Sequence, residues 1–375
     1  MKIKWCSNCL VNNHRPGIIL DKNDKCNACT NSKKNQTNTD WSKRKKELLK
    51  IFSNARKKRK SYDCVIPVSG GKDSTWQVIK CLEYGLKPLA VTWKNPVRTS
   101  IGQKNLNNLI SLGVDHIDWT VNPDVEKKFL YNSFKKYGAI AIPMHMGIFN
   151  IPMNVALKFD IPLVIWGENS AQEYGLSRNK KIQGGIFNNE WIKNCGVTNG
   201  TIAKDWISKD LTERDLVSYF GPTDKILKSK NIKAIFLGHY LKWDPVKSYN
   251  IASKYGFISN KKPRTGYFKY ADIDDDFISI HHWLKWYKFG LLRSFDNLSI
   301  EIRNNRLTRN KALKIAHKIG ENRPTTDIKK FCKYIGITEN NFYKIAEKFR
   351  NKNIWYKDKN IYKIKNFLID NWRWK

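Results

Sequence analysis

A chain of 375 residues has room for two or three domains with buried cores, and 41% hydrophobic residues with 14 Trp exclude a disordered chain. No apolar run is long enough to span a bilayer, and the start Met1-Lys2-Ile3-Lys4-Trp5-Cys6 lacks the apolar centre of a secretory leader, so the expected compartment is the cytoplasm. The formal charge of +36 would draw polyanions, from nucleic acid to nucleotide-linked sugars. It is carried mostly by Lys dispersed among Asn and Ile, the mark of an AT-rich coding sequence, and so reports on solubility and nonspecific binding.

From the N-terminus, the first pattern is Cys6-x2-Cys9 and Cys26-x2-Cys29. Each pair can aim two thiolates at one point from a tight turn, and two pairs complete a tetrahedron that suits zinc. A site closed by four thiolates has no open position for water, so its role is structural. Two disulfides are the alternative, disfavoured in a cytoplasmic chain. The polar stretch from Thr30 to Asp40 closes this ribbon, and Lys43 to Lys60, with ten basic residues and one Glu, reads as a solvated helix face.

The pattern then changes. Asp63 to Val68 is a short apolar run expected to form a buried parallel strand, followed by a loop and a helix over Ser74 to Tyr84. Strands are expected at Pro88 to Trp93, His116 to Thr120, Leu163 to Trp166 and Ala234 to Leu237. Helices are expected at Ser100 to Leu112, Val125 to Tyr137 and Ile148 to Phe159. This alternation predicts a doubly wound α/β fold with a parallel sheet.

The loop after the first strand reads Ser69-Gly70-Gly71-Lys72-Asp73-Ser74. Gly70 and Gly71 permit positive φ and leave no side chain between the backbone amides and a ligand. Those amides and the following helix N-terminus suit phosphate oxygens. Lys72 can add positive charge, Ser69 and Ser74 offer hydroxyls, and Asp73 is the candidate Mg2+ contact. The loop is neither a Walker A sequence nor Gly-x-Gly-x-x-Gly. Glu168, Asn169 and His239 follow the strands at Leu163 and Ala234, so they are expected at the sheet's carboxyl edge, where such sheets bind ligands. Glu168 and Asn169 are candidates for substrate or Mg2+ contact, or for bracing the loop. Glu173 and His239 are further substrate candidates, with a solvated carboxylate and a structural histidine as the alternatives.

Ser-Gly-Gly-x-Asp-Ser is the signature of the PP-loop (N-type) ATP pyrophosphatases, and residues 69–74 match it in full. The resemblance implies an adenine nucleotide alpha hydrolase-like fold, with adenosine near Val91, Thr92 and Trp93. It also implies cleavage of ATP to AMP and pyrophosphate with adenylation of a carbonyl oxygen. Over nearly its whole length the sequence resembles the N-acetyl sugar amidotransferases of surface-polysaccharide and nonulosonic-acid synthesis. The segments that carry this are Trp5-Cys6-x2-Cys9, Pro67 to Ser74, Leu89 to Thr92, Ile165 to Asn169 with Glu173, Phe236 to Tyr240, Ala271 to Asp276, His281 to Gly290 and Ser299 to Arg303. That resemblance implies conversion of an acetamido group on a free or nucleotide-linked sugar into an acetamidino group, with Lys72, Asp73 and Glu168 at the chemistry. It further implies ammonia from a separate glutaminase partner, similar to the glutaminase subunit of imidazole-glycerol-phosphate synthase.

Beyond about Asn260 the strands stop and amphipathic helices follow at Leu307 to Ile319, Asp327 to Ile335 and Thr338 to Arg350, with Thr338 as an N-cap. The last two resemble a helix-turn-helix, for which plain packing is the leading reading. The expected organisation is a zinc ribbon over 1–40, the PP-loop α/β domain over 41–260 and a mainly helical region over 261–375. The acidic run Asp272 to Asp276 could hold a cation, with a solvated loop as the leading reading. Two rival functions stand beside the amidotransferase. One is tRNA thiolation, which needs a reactive cysteine such as Cys64 or Cys195. The other is a non-enzymatic zinc-ribbon nucleic-acid binder; nucleic acid and membrane are not the expected partners.

Overall fold

The computed structural model describes residues 2–174 and 184–374, except the side chains of Gln172 and Glu173. Five short strands form a parallel sheet: β1 (Cys64–Pro67), β2 (Pro88–Trp93), β3 (Asp115–Trp119), β4 (Leu163–Trp166) and β5 (Lys233–Phe236), in the order β3-β2-β1-β4-β5. The chain winds outward from β1 to β3, then returns to the other side of β1 for β4 and β5. The loops after β1 and β4 therefore part in opposite directions, which opens a crevice at the carboxyl edge.

Successive strand residues face opposite sides, and both sides are apolar. Val65, Leu89, Val91 and Val164 pack with the helices Pro123–Tyr137 and Ile142–Lys158. Cys64, Ile66, Ala90, Leu163 and Ile165 pack with Trp41–Lys58, Lys72–Glu83 and Ser100–Ile110. The basic helix Trp41–Lys58 is thus solvated on one face only; Leu48 and Phe52 are fully buried on the other. Truncating either to Ala would cost about 2–5 kcal/mol.

Several local expectations change. The polar stretch after Cys29 is the helix Asn27–Asn38, whose N-cap Cys26 accepts a bond from the Cys29 amide. The helix before β4 starts at Ile142, because Pro143 sits in its first turn, where no amide is needed, and Pro152 is accommodated inside it. Trp355–Asp358 and Ile361–Ile364 form an antiparallel hairpin that the sequence reading lacked. The helices Thr325–Ile335 and Glu339–Glu347 bury Phe331 and Phe342 in a common core, and Phe342 stacks on Phe134 at 4.8 Å. Thr338 caps the second of them, accepting from the Asn341 amide at 3.2 Å. This pair packs as core.

The N-terminal ribbon shares its core with the C-terminal helices. Cys6, Cys9, Leu10, Val11, Cys26 and Cys29 lie in one apolar cluster with Trp286, Leu291, Phe295 and Phe331. Polar pins fix the contact: the Leu10 amide donates to Ser299 Oγ at 3.1 Å, and Asn12 Nδ2 donates to the Phe289 carbonyl at 2.9 Å.

Candidate active site

The loop between β1 and the helix Lys72–Glu83 gives its two glycines different reasons. Gly70 has φ +82°, and a Cβ there would stand 2.6 Å from the Leu106 amide nitrogen, so the position needs glycine twice over. Gly71 does not use positive φ, contrary to the sequence expectation. It is extended (φ −69°, ψ 165°) and serves as the helix N-cap without a side-chain capping bond, leaving the first-turn amides directed at the crevice. Ser74 Oγ donates to the Gly71 carbonyl at 3.0 Å, and the Gly71 amide donates to Ser69 Oγ at 3.2 Å, so the two hydroxyls set the turn.

A cavity of about 720 Å3 opens above this loop. Ser69, Gly71, Asp73 and Ser74 form one wall, and Val91 and Trp93 extend it from the end of β2. Trp93 fits because Gly147 has no side chain; a Cβ there would lie 2.7 Å from the indole. Glu168, just after β4, lines the same space. The opposite wall comes from far along the chain. The ribbon supplies Arg15, and the helices Ile278–Phe289 and Arg293–Arg303 supply His281, His282, Lys285, Lys288, Arg293 and Asp296. Of these, His281, His282, Lys285 and Lys288 fall in the segment His281 to Gly290 that carries the family resemblance; the sequence alone does not single out Arg15, Arg293 and Asp296.

Five candidates lie off the cavity wall. Gly70 faces the helix Ser100–Ile110. Lys72 turns back to an ion pair with Asp73 and lies over the Tyr270 ring at 5.6 Å. Thr92 donates to the Val68 carbonyl at 2.8 Å and meets His116 Nε2 at 2.8 Å, tying neighbouring strands together. Asn169 is spent on bracing: its Oδ1 accepts from the Ala171 amide and Trp191 Nε1, each at 2.9 Å, and its Nδ2 donates to the Gly184 carbonyl. β5 ends at Phe236 and turns at once into the helix Leu237–Tyr240, which carries His239 against Gly185 and away from the cavity. The side chain of Glu173 lies outside the described residues.

The electrostatics divide the cavity. Burial and then the charge of Asp73 push Glu168 up to about 7, within reach of both protonation states near neutrality. Burial opposes the charge on Lys72, but Asp73 and then Glu168 hold its ammonium above the ordinary lysine range. Asp73 also accepts from Trp243 Nε1 at 2.9 Å, leaving its oxygens further lone pairs toward the cavity. On the facing wall, burial keeps His282 down at about 4 and His281 well below the usual histidine value, so both rings are neutral donors or acceptors.

The acidic run belongs to this construction and is not a solvated loop. Asp272 pairs with Arg293 at 2.9 Å, and Asp276 pairs with Arg264 and Lys330, each at 2.7 Å. The Asp274 carbonyl accepts from the Thr99 amide, and Gly102 allows that backbone to pass; a Cβ there would lie 2.8 Å from Asp274 Cα.

The four ribbon cysteines, all buried, bring their sulfurs within 4.8 Å of one another. Cys9 and Cys26 Sγ are 3.7 Å apart, close to the ~3.8 Å edge of a tetrahedron with bonds of about 2.3 Å. Sulfur also accepts from the Cys26 amide (onto Cys6) and from Asn8 Nδ2 (onto Cys29), each at 3.2 Å, as thiolates on a metal would. The donor set fits zinc.

Residues 242–368 match the family model described as "LPS biosynthesis protein WbpG-like, C-terminal domain". No curated protein sequence matches the chain. Among solved structures, a predicted subunit of tRNA methyltransferase from Methanocaldococcus jannaschii aligns at 17% identity over 64% of this chain and 91% of its own, with a TM-score of 0.29. The NMN synthetase from Francisella tularensis aligns at 13% identity over 60% of this chain and 100% of its own, with a TM-score of 0.28. The matched C-terminal region holds Trp243, bonded to the loop aspartate, and the two cavity-lining helices Ile278–Phe289 and Arg293–Arg303. Residues 242–368 thus resemble the C-terminal domain of WbpG-like lipopolysaccharide-biosynthesis proteins, and they follow a parallel α/β sheet whose first loop carries the PP-loop signature.

Proposed function

We propose that the protein is an ATP-dependent amidotransferase that converts an acetamido group of a sugar into an acetamidino group. The observation that carries this reading is one cavity with two chemistries: a phosphate-cradling loop on one wall and the lipopolysaccharide-family domain on the other. An amide oxygen is a poor leaving group, so ammonia cannot displace it directly. Attack of that oxygen on the α-phosphorus of ATP expels pyrophosphate and leaves an imidate whose leaving group is AMP. Ammonia then adds to the imidate carbon, and the C–O bond breaks to release AMP.

The chain's part is positioning and charge. The first-turn amides with Ser69 and Ser74 would hold phosphate oxygens. Asp73 would hold Mg2+, which supplies charge neutralisation on the phosphates. Lys72 acts through Asp73, holding that carboxylate in place. Glu168, poised at about 7, would take the proton that the ammonia nitrogen releases. Trp93 and Val91 would flank adenosine. Ammonia would come from a separate glutaminase, and the enzyme would work in the cytoplasm; among the described residues no helix is long and apolar enough to cross a membrane.

One observation favours the thiolation reading: Cys195 lines the cavity. Burial pushes its thiol up to about 12, however, so it carries no thiolate at neutral pH. Burial raises Cys64 as well. The test is incubation with ATP, Mg2+, ammonium and a panel of acetamido sugars. The expected product is lighter by one mass unit, with one AMP formed per product, and Cys195→Ser should leave it unchanged. Absence of sugar-dependent AMP across the panel, or its loss in Cys195→Ser, defeats the reading.

A further inference from the structure

The cavity wall opposite the loop carries more positive charge than its own carboxylates balance. Arg15 Nε and Lys285 Nζ both bind Asp296, at 2.9 and 2.5 Å, and Arg293 Nε binds Asp272 at 2.9 Å. Lys288 completes the set of four cations; its carbonyl accepts from Asn351, but among the described residues no hydrogen bond or ion pair holds its ammonium. Among the described residues of this wall, two carboxylates therefore serve four cations, largely buried. A desolvated charge is costly unless a counter-charge meets it, and the low local dielectric strengthens whatever anion does. Burial and then Lys285 already pull Lys288 down to about 8, the response of an ammonium that lacks a partner.

Adenine nucleotide phosphates have their own cradle at the loop. Asp73 of the loop and Glu168 after β4 line the same cavity as the cations, and Glu168 feels the charges of both Asp73 and Arg293. Carboxylates in the cavity disfavour a single anion that spans the loop and the cationic wall, so the two read as separate anion subsites.

We infer that Lys288, with Arg15, Lys285 and Arg293 behind it, forms a second anion subsite that binds a negatively charged group of the acceptor sugar. The proposal rests on the sugar-substrate reading and adds its charge class. A neutral acetamido sugar leaves the wall uncompensated, whereas a phosphoryl or carboxylate group on the sugar fills it. The neutral rings of His281 and His282 in the same wall add hydrogen bonding without adding charge. Arg15 also gives the ribbon a role at the site: it is delivered there by the cysteine-bearing module.

The test is calorimetric titration of the full-length protein at pH 7 with four probes. They are UDP for the phosphoryl source, N-acetylneuraminate for the carboxylate source, neutral N-acetylglucosamine, and a non-hydrolysable ATP analogue. One of the two anionic probes is expected to bind alongside the ATP analogue, and that probe identifies the source. Lys288→Met should weaken it about 10- to 100-fold, the worth of a charge-assisted hydrogen bond, while Lys288→Arg stays within about threefold. The ATP analogue should bind both variants as it binds the native chain. The proposal is overturned if both anions bind Lys288→Met as tightly as the native protein, or no better than N-acetylglucosamine to either. It is equally overturned if the ATP analogue weakens in step with the anion, which would assign the wall to ATP phosphates. Product formation is read separately. Lys288-dependent anion binding without any acetamidino product defeats the reaction and leaves the subsite standing; product without Lys288 dependence does the reverse.

Discussion

Asp296→Asn tests the buried pairing that joins the ribbon to the C-terminal helices. The Asp296 side chain is 1% exposed and holds Arg15 and Lys285 at 2.9 and 2.5 Å. Burial opposes its ionisation, but Arg15, Lys285 and Arg293 keep the carboxyl far below the usual carboxylate range. Asparagine keeps the shape, so no cavity term enters; what is lost is the counter-charge for two cations. Breaking a buried pair by removing one partner costs about 3–5 kcal/mol, a sizeable part of the roughly 5–15 kcal/mol that holds a domain folded. The sign with pH follows from the depressed value. Stability from Asp296 is fully present above the unfolded carboxylate pKa of about 3.9 and is lost as pH falls through the folded one. Urea unfolding followed by Trp fluorescence should show a lower midpoint for Asp296→Asn at pH 7, and the gap to the native chain should begin to narrow as pH falls below about 4. Adding Lys285→Met should restore part of the loss by removing one stranded cation. A variant within about 0.5 kcal/mol of native at pH 7, the scatter of an ordinary surface substitution, would refute the reasoning.

Three other outcomes follow from the same geometry. Gly70→Ala forces a left-handed residue, at about 1–2 kcal/mol, and drives a Cβ to 2.6 Å from the Leu106 backbone, so ATP-analogue affinity should fall about tenfold or more in calorimetry. Glu126 is 3% exposed with one carboxyl oxygen lacking a hydrogen bond, and burial, then Asp275, push it up to about 8. Stability it contributes as a neutral acid is present below the unfolded value and is lost as pH rises toward 8. Glu126→Gln should therefore gain on the native chain by up to ~1.4 kcal/mol per pH unit above about 4.3, and show no gain at pH 4 by thermal melting. Chelation should release about one zinc per chain and expose the Trp5 region to protease, with the Trp286 cluster loosening in the same transition, because ribbon and helices share a core. Metal-free protein with an unchanged digestion pattern would contradict this.

The sheet and the loop were legible because their signals are local. β1 and β4 are unbroken apolar runs, and the loop signature sits where strand meets helix. The helix from Ile142 was obscured by Pro143, Gly147 and Pro152, each of which reads as a breaker until the first-turn position and the Trp93 contact are known. Topology alone misplaced His239: a residue just past a strand reaches the crevice only if the chain continues outward, and here it folds back. Asn169 comes three residues after β4, yet its amide is consumed by bonds to Ala171, Gly184 and Trp191. The cationic wall could not be assembled from the sequence. Arg15 and Lys288 are far apart in the chain, and each is one basic residue among 69. Only the shared core of ribbon and C-terminal helices brings them together.

The measurement closest to the central claim follows one oxygen atom. A candidate acetamido sugar is labelled with 18O in its amide group and turned over with unlabelled ATP, Mg2+ and ammonium. If the amide oxygen attacks the α-phosphorus and departs with it, the label appears in AMP, two mass units heavy, and the amidine carries none. AMP without the label, formed alongside product, would show that water rather than the acetamido group took the adenylyl unit, and the proposed activation would fall.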